Sequence, residues 1–316
     1  THKLLAGLSQ ASQILVQDAL MNKLDKELFN ESYLMHSSTS PQYSIIASCD
    51  VAAAMMDEPG GTALVEESIM EALDFRRAMR KVDQEWGDDW WFKVWGPDDL
   101  SEEGIEERAA WMLNNNDKWH GFGKLAPNFN MLDPIKATII TPGLNVEGEF
   151  DSNFGIPAVI VTKYLAEHGI IVEKTGLYSF FIMFTIGITK GRWNTLVAAL
   201  QQFKDDYNKN QPIWKVLPDF SQKYPKYENI GLKDLSDQIH TVFKDNDIAR
   251  LTTEMYLSNM IPAMKPATAF AKMAHKRIER VPIDDLEGRI TAVLLTPYPP
   301  GIPLLVPGER FNKIIV

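Results

Sequence analysis

Residues 157–203 read PAVIVTKYLAEHGIIVEKTGLYSFFIMFTIGITKGRWNTLVAALQQF, and helical patterns at both ends enclose a strongly apolar middle part. Pro157 opens the first helix and Gly169 ends it, because proline suits the first turn of a helix and glycine suits the residue that follows the last turn. Two short apolar runs, 170–172 and 179–185, have the length of strands. The stretch therefore predicts a helix, two strands and a second helix.

Thr189 is suited to cap the second helix of this stretch. The apolar positions that follow it recur with helical spacing: Trp193, Leu196, Val197, Leu200 and Phe203. A further apolar run at 137–141 (ATIIT) predicts a strand ahead of Pro157. The order of strand, helix, strand, strand and helix predicts a mixed α/β fold with helices packed on one face of a sheet.

The segment DEPGG at residues 57–61 interrupts the helical patterns and predicts a domain boundary. We place one domain at 1–58 and a second at 59–316. Thr62 is suited to cap the next helix, whose acidic first turn is favoured by the helix dipole. Apolar residues then recur at spacings of three or four: Val65, Ile69, Ala72, Phe75, Met79, Val82 and Trp86. This spacing predicts a long amphipathic helix.

The remaining parts of the chain predict shorter elements. Segments expected to be helical are 24–35, 45–56, 234–243 and 268–275. Residues 45–56 are small and apolar, which predicts that this helix is tightly packed. Residues 289–295 predict a buried strand that ends at PYPPG (297–301), because no regular element continues through so many prolines.

Composition limits the class of protein. The chain has 316 residues, 45% of them hydrophobic and 23% charged, which is typical of a globular protein of about two domains. Its formal net charge of −10 argues against nucleic-acid binding, which recruits lysine and arginine, but suits a cationic substrate. Cys49 is the single cysteine, so no internal disulfide can form and a reducing, cytoplasmic compartment is expected.

The sequence pattern also excludes several kinds of site. No His/Cys/Asp cluster has metal-ligand spacing, and no glycine-rich nucleotide loop is present. The longest apolar stretch, 177–188, is shorter than the roughly 20 residues of a spanning helix, and no secretory leader is visible, so no membrane association is expected. The chain starts at Thr1 rather than Met and ends in the apolar run 314–316, which predicts that part of the fold is missing.

Lys3 is the first residue with a potential covalent role. A lone lysine near a chain end is usually a solvated surface charge. The surrounding residues change this interpretation. Residues 1–12 (THKLLAGLSQAS) resemble the cofactor-lysine segment of bacterial lysine, arginine and ornithine decarboxylases of pyridoxal-phosphate (PLP) fold type I.

The resemblance extends along almost the whole chain. Further blocks match the family in order and spacing: YLMHSSTSP (33–41), WHGF (119–122), LDPIK (132–136), GIP (155–157), EKTG (173–176) and PYPPG (297–301). The resemblance implies that residues 1–58 end an aspartate-aminotransferase-like large domain. It further implies that residues 59–316 form a C-terminal domain of mixed sheet and helices, truncated at its end.

The resemblance also implies that several family groups lie before Thr1, namely a ring-stacking histidine, most of the phosphate loop and an aspartate at the pyridine nitrogen. That aspartate keeps the ring nitrogen protonated, which makes the ring an effective electron sink. The isolated chain is therefore expected to be inactive. An assay of this chain with lysine and PLP should detect no decarboxylation, and robust turnover would refute the expectation.

The family activity implied for this chain is the PLP-dependent decarboxylation of L-lysine to cadaverine and CO₂. Lys3 would hold PLP as a Schiff base, and His2 would lie near the phosphate and the Schiff base. The hydroxyls of Ser38, Thr39 and Ser40 would reach the PLP phosphate of the neighbouring subunit, although such residues before a proline also form turns with their own backbone. The implied unit is a homodimer with a shared active site, from which a higher oligomer could be built.

Glu173 is the residue that bears on substrate class. A glutamate at the end of a strand is usually a surface residue. The resemblance implies a different role, since lysine-type enzymes share the acid of VEKTG (172–176) and arginine-type enzymes lack it. A carboxylate can pair with the compact distal ammonium of lysine. Glu173 therefore favours lysine as the substrate.

Several alternatives remain open. Arginine or ornithine decarboxylation is the nearest, since ornithine-type relatives also carry an acid close to this position. A catalytically inactive assembly or regulatory homologue is another, although Lys3 is retained. An aminotransferase would share Lys3 but would not explain the blocks near 119–136 and 296–303. Four polar residues are interpreted as structural: His36 and Cys49 as packing residues, His120 in aromatic packing and Arg289 in an ion pair.

Overall fold

Four strands form one antiparallel sheet. The structure is a computed structural model that describes residues 7–8, 14–17, 24–38, 40–97, 108–298 and 301–316. The strands are β1 (Lys93–Val94), β2 (Lys136–Ile140), β3 (Lys174–Thr175) and β4 (Ser179–Met183), in the order β1-β2-β4-β3 across the sheet. The two long strands pair over their whole length, from Lys136 opposite Met183 to Ile140 opposite Ser179. The two edge strands are short, which limits the backbone that the sheet leaves open.

Helices make up most of the other described elements. They are α1 (Lys26–His36), α2 (Tyr43–Met55), α3 (Gly60–Trp86), α4 (Ala158–Glu167), α5 (Lys190–Asn208), α6 (Ile213–Val216), α7 (Pro218–Lys223), α8 (Leu232–Asp245), α9 (Ile248–Leu257) and α10 (Pro266–Ala274). Near the end of the chain, β5 (Ile261–Pro262) pairs with β6 (Glu309–Arg310). Within the described ranges, no helix combines the length and the apolar character that crossing a membrane requires.

A single apolar cluster joins the central sheet to α3, α4 and α5. Side chains alternate along a strand, so Ala137 and Ile139 of β2 point to the same face, and both are fully buried. Phe180 lies opposite Ile139 on β4. Burying a side chain of this size contributes roughly 1.5–3 kcal/mol. The predicted order of elements and the mixed α/β fold are confirmed.

The predicted helix boundaries around residues 157–203 are confirmed. α4 starts directly after Pro157, and Gly169 has a φ of +77° just beyond its end, a conformation that glycine adopts without steric cost. Thr189 is the N-cap residue of α5 and has extended backbone angles, although its side chain makes no capping hydrogen bond. Pro and Gly thus fixed the ends of α4, while the hydroxyl of Thr189 was not needed as a cap.

The predicted cap of α3 is wrong. The helix starts at Gly60, two residues before Thr62, and the Gly61 N–H donates to the carbonyl of Asp57 over 2.9 Å. A Cβ on Gly61 would lie 2.3 Å from the carbonyl oxygen of Met56. Because glycine has no Cβ, the chain can fold back on itself here and begin the helix early.

Two predicted strands are wrong or displaced. Residues 289–295 form only single bridges, Ile290 with Arg310 and Leu295 with Leu305, because part of this apolar run is exposed. The strand expected at 170–172 starts later, at Lys174, since the Ile170 N–H donates back to the carbonyl of Leu165 at the end of α4. The tight packing expected of residues 45–56 is also wrong within the described chain, where Ala52 is the only buried residue of α2.

Lys204 of α5 is a buried cation that the sequence pattern did not reveal. Only 1% of its side chain is exposed, and its Nζ lies 2.9 Å from Oδ1 of Asp89. The same Nζ lies 4.8 Å from the ring centroid of Trp91 and 5.4 Å from that of Trp86. The carboxylate and the two ring faces replace the water that the ammonium loses on burial.

Candidate functional site

The candidate site residues fall into a described and an undescribed group. His2, Lys3 and Thr39 lie outside the residues that the structure describes. Ser38 and Ser40 lie in the segment between α1 and α2, and Glu173 directly precedes β3. The structure therefore gives the local geometry of the serine segment and of Glu173, each on its own element.

The serine segment forms a hydroxyl-capped turn on the surface. The Ser40 N–H donates to Oγ of Ser38 over 3.0 Å, and both residues are exposed. A hydroxyl that accepts one hydrogen bond can still donate its own hydrogen. The turn interpretation is thus confirmed, and the same geometry leaves the Ser38 hydroxyl able to donate to a phosphate oxygen. The described residues of this segment fit the phosphate end of PLP.

Glu173 lies where the pairing between β3 and β4 ends. Its N–H donates to the carbonyl of Phe181 over 2.8 Å, and the paired residues beyond it are Lys174 with Phe181 and Thr175 with Phe180. The side chain of Glu173 is half-buried. On the N-terminal side of Glu173, a cleft of about 380 Å³ opens beside the sheet.

The cleft is apolar except for one acid, one base and one hydroxyl. Its lining consists of Ile170, Ile171, Val172 and Glu173 before β3, of Ile182, Met183, Phe184, Thr185 and Ile188 along and after β4, and of Arg192, Trp193 and Leu196 from α5. Such a lining suits a ligand that has a hydrocarbon chain and a charged end. Glu173 can supply the counter-charge for a cation.

Aromatic contacts hold the floor of the cleft. Nε1 of Trp193 donates to Oε2 of Glu71 on α3 over 2.6 Å. The ring of Phe75 lies 5.4 Å from that of Phe184 and 6.1 Å from that of Trp193, measured between centroids. Because these side chains are buried and interlocked, the floor is set before any ligand arrives.

The polar residues interpreted as structural divide into two groups. His120 is buried, its Nε2 faces the carbonyl of Asn114 at 2.9 Å, and its Nδ1 accepts from the N–H of Phe122 at 3.0 Å. Its ring also stacks on Phe122, which confirms the packing role. Arg289 forms an ion pair with Glu279, also as expected. His36 and Cys49 are exposed in the described chain, so their expected packing role is wrong.

A buried polar chain around His240 was not foreseen. Nε2 of His240 faces the carbonyl of Asp151 at 3.1 Å and therefore carries the hydrogen, so Nδ1 accepts from the Tyr178 hydroxyl at 2.6 Å. Burial raises the pKa of Tyr178 above its usual range. A Cβ on Gly155 would lie 2.1 Å from Nδ1 of His240. The glycine of GIP (155–157) was the one sequence signal of this close approach.

Metal-ligand clusters are absent from the part of the chain that the structure describes. No group of three or more His, Cys, Asp or Glu side chains could hold a metal ion there. Asp151 uses its carboxylate to close a local turn. Its Oδ1 accepts from the N–H groups of Asn153 and Phe154, and these two bonds lower the pKa of its carboxyl.

Comparison with family models matches two parts of the chain. The model described as "Orn/Lys/Arg decarboxylase, major domain" matches residues 1–192, and the one described as "Orn/Lys/Arg decarboxylase, C-terminal domain" matches residues 249–316. The major-domain match takes in Glu173 and the segment that contains Lys3 and Ser38.

Individual relatives are similar over nearly the whole chain. A lysine decarboxylase of Pseudomonas aeruginosa is 51% identical over 317 residues, covering 99% of this chain and 42% of that protein. The inducible lysine decarboxylase of Escherichia coli K12 is 41% identical over 314 residues, with 99% and 42% covered. The solved structure of lysine decarboxylase A from Pseudomonas aeruginosa has a TM-score of 0.90 at 49% identity and is matched by 100% of this chain and 42% of that one. The chain thus spans about 42% of the length of these relatives.

Proposed function

Because the chain belongs to the Orn/Lys/Arg decarboxylase family, we propose that the protein decarboxylates L-lysine to cadaverine and CO₂. The observation that carries the choice of lysine is the position of Glu173. Its half-buried carboxylate lines a cleft whose other walls are almost entirely apolar. The four methylenes of lysine suit such walls, and its distal ammonium suits the carboxylate.

Glu173 favours a lysine ammonium over the guanidinium of arginine. The resemblance supports this choice, since lysine-type enzymes share the acid of VEKTG (172–176) and arginine-type enzymes lack it. A single carboxylate is a sufficient partner for a compact ammonium. Among the residues that line the cleft, Glu173 is the single acid. The cleft therefore offers one anionic contact, Glu173, in a largely apolar lining that also includes Arg192 and Thr185.

The proposed cofactor is PLP. When bound, PLP takes up the electron pair that remains after the bond between Cα and the carboxylate breaks. Lys3 would hold it covalently, and His2 would lie beside its phosphate. The hydroxyls of Ser38, Thr39 and Ser40 would donate hydrogen bonds to the phosphate oxygens. The turn of Ser38 and Ser40 supports this role because both residues are exposed in the described chain and their hydroxyls can donate to a ligand.

The proposed assembly is a homodimer with a shared active site, on which a higher oligomer could be built. Exposed hydroxyls at Ser38 and Ser40 support it, since they could serve a cofactor held by the neighbouring subunit. We further propose that residues 1–58 end the PLP-binding domain and that 59–316 form the C-terminal decarboxylase domain. The single cysteine, Cys49, supports a cytoplasmic location.

Product analysis of the full-length protein tests the proposed function. The protein is incubated with PLP and, in separate reactions, with L-lysine, L-ornithine or L-arginine, and the amines are separated by chromatography. Cadaverine should be the main product at equal substrate concentrations. Agmatine or putrescine as the main product would overturn the choice of lysine. No amine from any substrate would instead support a catalytically inactive homologue.

Replacing Glu173 with glutamine should raise KM for lysine by about 10- to 100-fold, since a hydrogen bond between charged groups contributes roughly 1.5–3 kcal/mol. Glutamine keeps the size and one acceptor of glutamate but removes the charge that pairs with the ammonium. Steady-state kinetics of Glu173→Gln measures the effect. Glu147→Gln is the matched control, because Glu147 is exposed in a loop away from the cleft lining. An unchanged KM in Glu173→Gln would exclude the proposed contact.

A further inference from the structure

Tyr298 is presented by a tightly closed turn in the last part of the chain. The Gly301 N–H donates to the carbonyl of Pro297 over 2.8 Å, and Gly301 has a φ of +80°. A Cβ on Gly301 would lie 2.9 Å from the Tyr298 ring, so the ring packs directly against the glycine backbone. The residue is nevertheless 64% exposed. The turn therefore holds one edge of the ring and leaves its face accessible.

The base of this turn is fixed in place by buried leucines. The Leu295 N–H donates to the carbonyl of Leu305 over 3.0 Å, and the Leu304 N–H donates to the carbonyl of Leu295 over 2.8 Å. Leu304 and Leu305 are buried. These bonds and contacts hold the described residues on either side of Tyr298 in place.

The partner of the Tyr298 ring is Lys174. Its Nζ lies over the ring at 5.7 Å from the centroid, within the range of a cation–π contact. Lys174 is half-buried and is the first residue of β3. The contact therefore connects the last part of the chain to the edge strand that follows Glu173.

Glu173 and Lys174 are consecutive, with Glu173 at a bend and Lys174 at the start of β3. Glu173 lines the cleft, whereas neither Lys174 nor Tyr298 does. Tyr298 is thus not placed to touch a ligand of the cleft. Its effect on that ligand has to pass through the backbone of β3.

The strand β3 is short and lies at the edge of the sheet. The strand has two residues, and its register with β4 consists of Lys174 with Phe181 and Thr175 with Phe180. Three further bonds hold this segment: the Glu173 N–H donates to the carbonyl of Phe181, the Gly176 N–H donates to that of Ser179, and the Thr175 hydroxyl donates to Oγ1 of Thr162. These bonds hold mainly the Thr175 end of β3, and a two-residue edge strand opens more readily than a long one. A side-chain contact on Lys174 therefore helps to fix the end of the strand next to Glu173.

We propose that Tyr298 is a positioning residue for Glu173, which it holds in place through its contact with Lys174. The proposal rests on the proposed function, in which Glu173 binds the distal ammonium of lysine. Under this proposal Tyr298, which lies in the part of the chain that matches the C-terminal domain, contributes to the affinity for lysine. The ring face, and not the hydroxyl, is the group that acts.

The kinetic test uses four variants of the full-length protein. Tyr298→Leu removes the ring and should raise KM for lysine by roughly 2- to 5-fold with kcat unchanged, as expected for a cation–π contact at an exposed site. Lys174→Met should produce the same rise, and the double variant should show no additional rise. Tyr298→Phe keeps the ring and should match the unmodified protein. Equal effects of Leu and Phe at 298, additive single effects, or a fall in kcat would overturn the proposal.

Hydrogen exchange tests the positioning role of Tyr298 independently of the proposed function, because the measurement does not require the protein to turn over lysine. Mass spectrometry of a peptide covering residues 170–176 should show faster amide exchange in Tyr298→Leu, because the bond from the Glu173 N–H to Phe181 opens more often. Tyr298→Phe should leave exchange unchanged. Unchanged exchange in Tyr298→Leu would overturn the positioning role even in an active enzyme. If exchange were faster in Tyr298→Leu but the unmodified protein did not decarboxylate lysine, the contact between Lys174 and Tyr298 would be supported, and only the proposed function would be refuted.

Discussion

Replacing Lys3 with alanine in the full-length protein should lower kcat for lysine by on the order of a thousandfold or more. The ε-amine at this position is the proposed covalent holder of the cofactor, and alanine offers no nucleophile to replace it. The loss should appear in kcat rather than in KM alone, since Glu173 would still meet the distal ammonium of lysine. Steady-state assays of cadaverine release measure it.

The control for this variant is Lys26→Ala. Lys26 is an exposed lysine at the start of α1, so its removal should leave activity unchanged. Borohydride reduction followed by mass spectrometry adds a readout independent of rate, because it should attach pyridoxyl to Lys3 in the unmodified protein. Pyridoxyl on another residue, or full activity in Lys3→Ala, would contradict the covalent role of Lys3 and the assignment of the segment around it.

The ends of α4 and the order of elements along the chain were predictable because they depend on local rules. Pro157 and Gly169 limited α4 correctly, since each acts on the backbone of its own residue. The periodic apolar positions of α3 identified its length for a similar reason, as one face of a helix repeats every three or four residues. The prediction at Thr62 was wrong because α3 starts two residues earlier, where the backbone of Gly61 approaches that of Met56 too closely for a Cβ. A capping rule does not take such a close approach into account.

The candidate site was less predictable, because its parts come from distant segments. Glu173 was singled out by resemblance alone, and no local pattern distinguishes it from a surface acid. The cleft that it lines needs residues before β3, residues after β4 and the first turns of α5. The contact between Lys174 and Tyr298 joins positions 124 apart in the chain. Apolar periodicity reports which side of an element is buried but not which elements meet, so neither feature could be derived from the sequence.

Buried charges are the other class of feature that the sequence pattern missed. Charged residues are rarely buried unless they are paired, so a sequence reading assigns them to the surface by default. Lys204 occupies a position that faces inward on α5, yet its partners Asp89 and Trp91 follow α3 in the chain. Arg76 is the second case, and it makes the stronger prediction because its partners are backbone carbonyls.

Replacing Arg76 with methionine should lower the free energy of unfolding by about 3–5 kcal/mol. Arg76 is 3% exposed, and its guanidinium donates to the carbonyls of Trp95 and Lys136 over 2.9 Å each and, more weakly, to that of Pro134 over 3.4 Å. Burial lowers the pKa of Arg76 to about 10, which still leaves the side chain charged at neutral pH. Methionine fills a similar volume but leaves these carbonyls without donors, and an unsatisfied buried acceptor costs more than the bond contributed.

The measurement is urea denaturation of the full-length protein, monitored by tryptophan fluorescence, with Arg289→Met as the matched control. Arg289 forms an ion pair in which both side chains are largely exposed, and such pairs contribute about 0–1 kcal/mol. The same substitution should therefore have little effect at position 289 and a large one at 76. Arg76→Lys tests whether the charge alone is enough. Lysine keeps the charge but lacks the planar guanidinium, whose two terminal nitrogens reach the carbonyls of Trp95 and Lys136. It should also destabilise the protein strongly. If Arg76→Lys were as stable as the unmodified protein, a buried positive charge alone would account for the stabilisation. The hydrogen bonds by which the guanidinium joins α3 to β1 and β2 would then not be required.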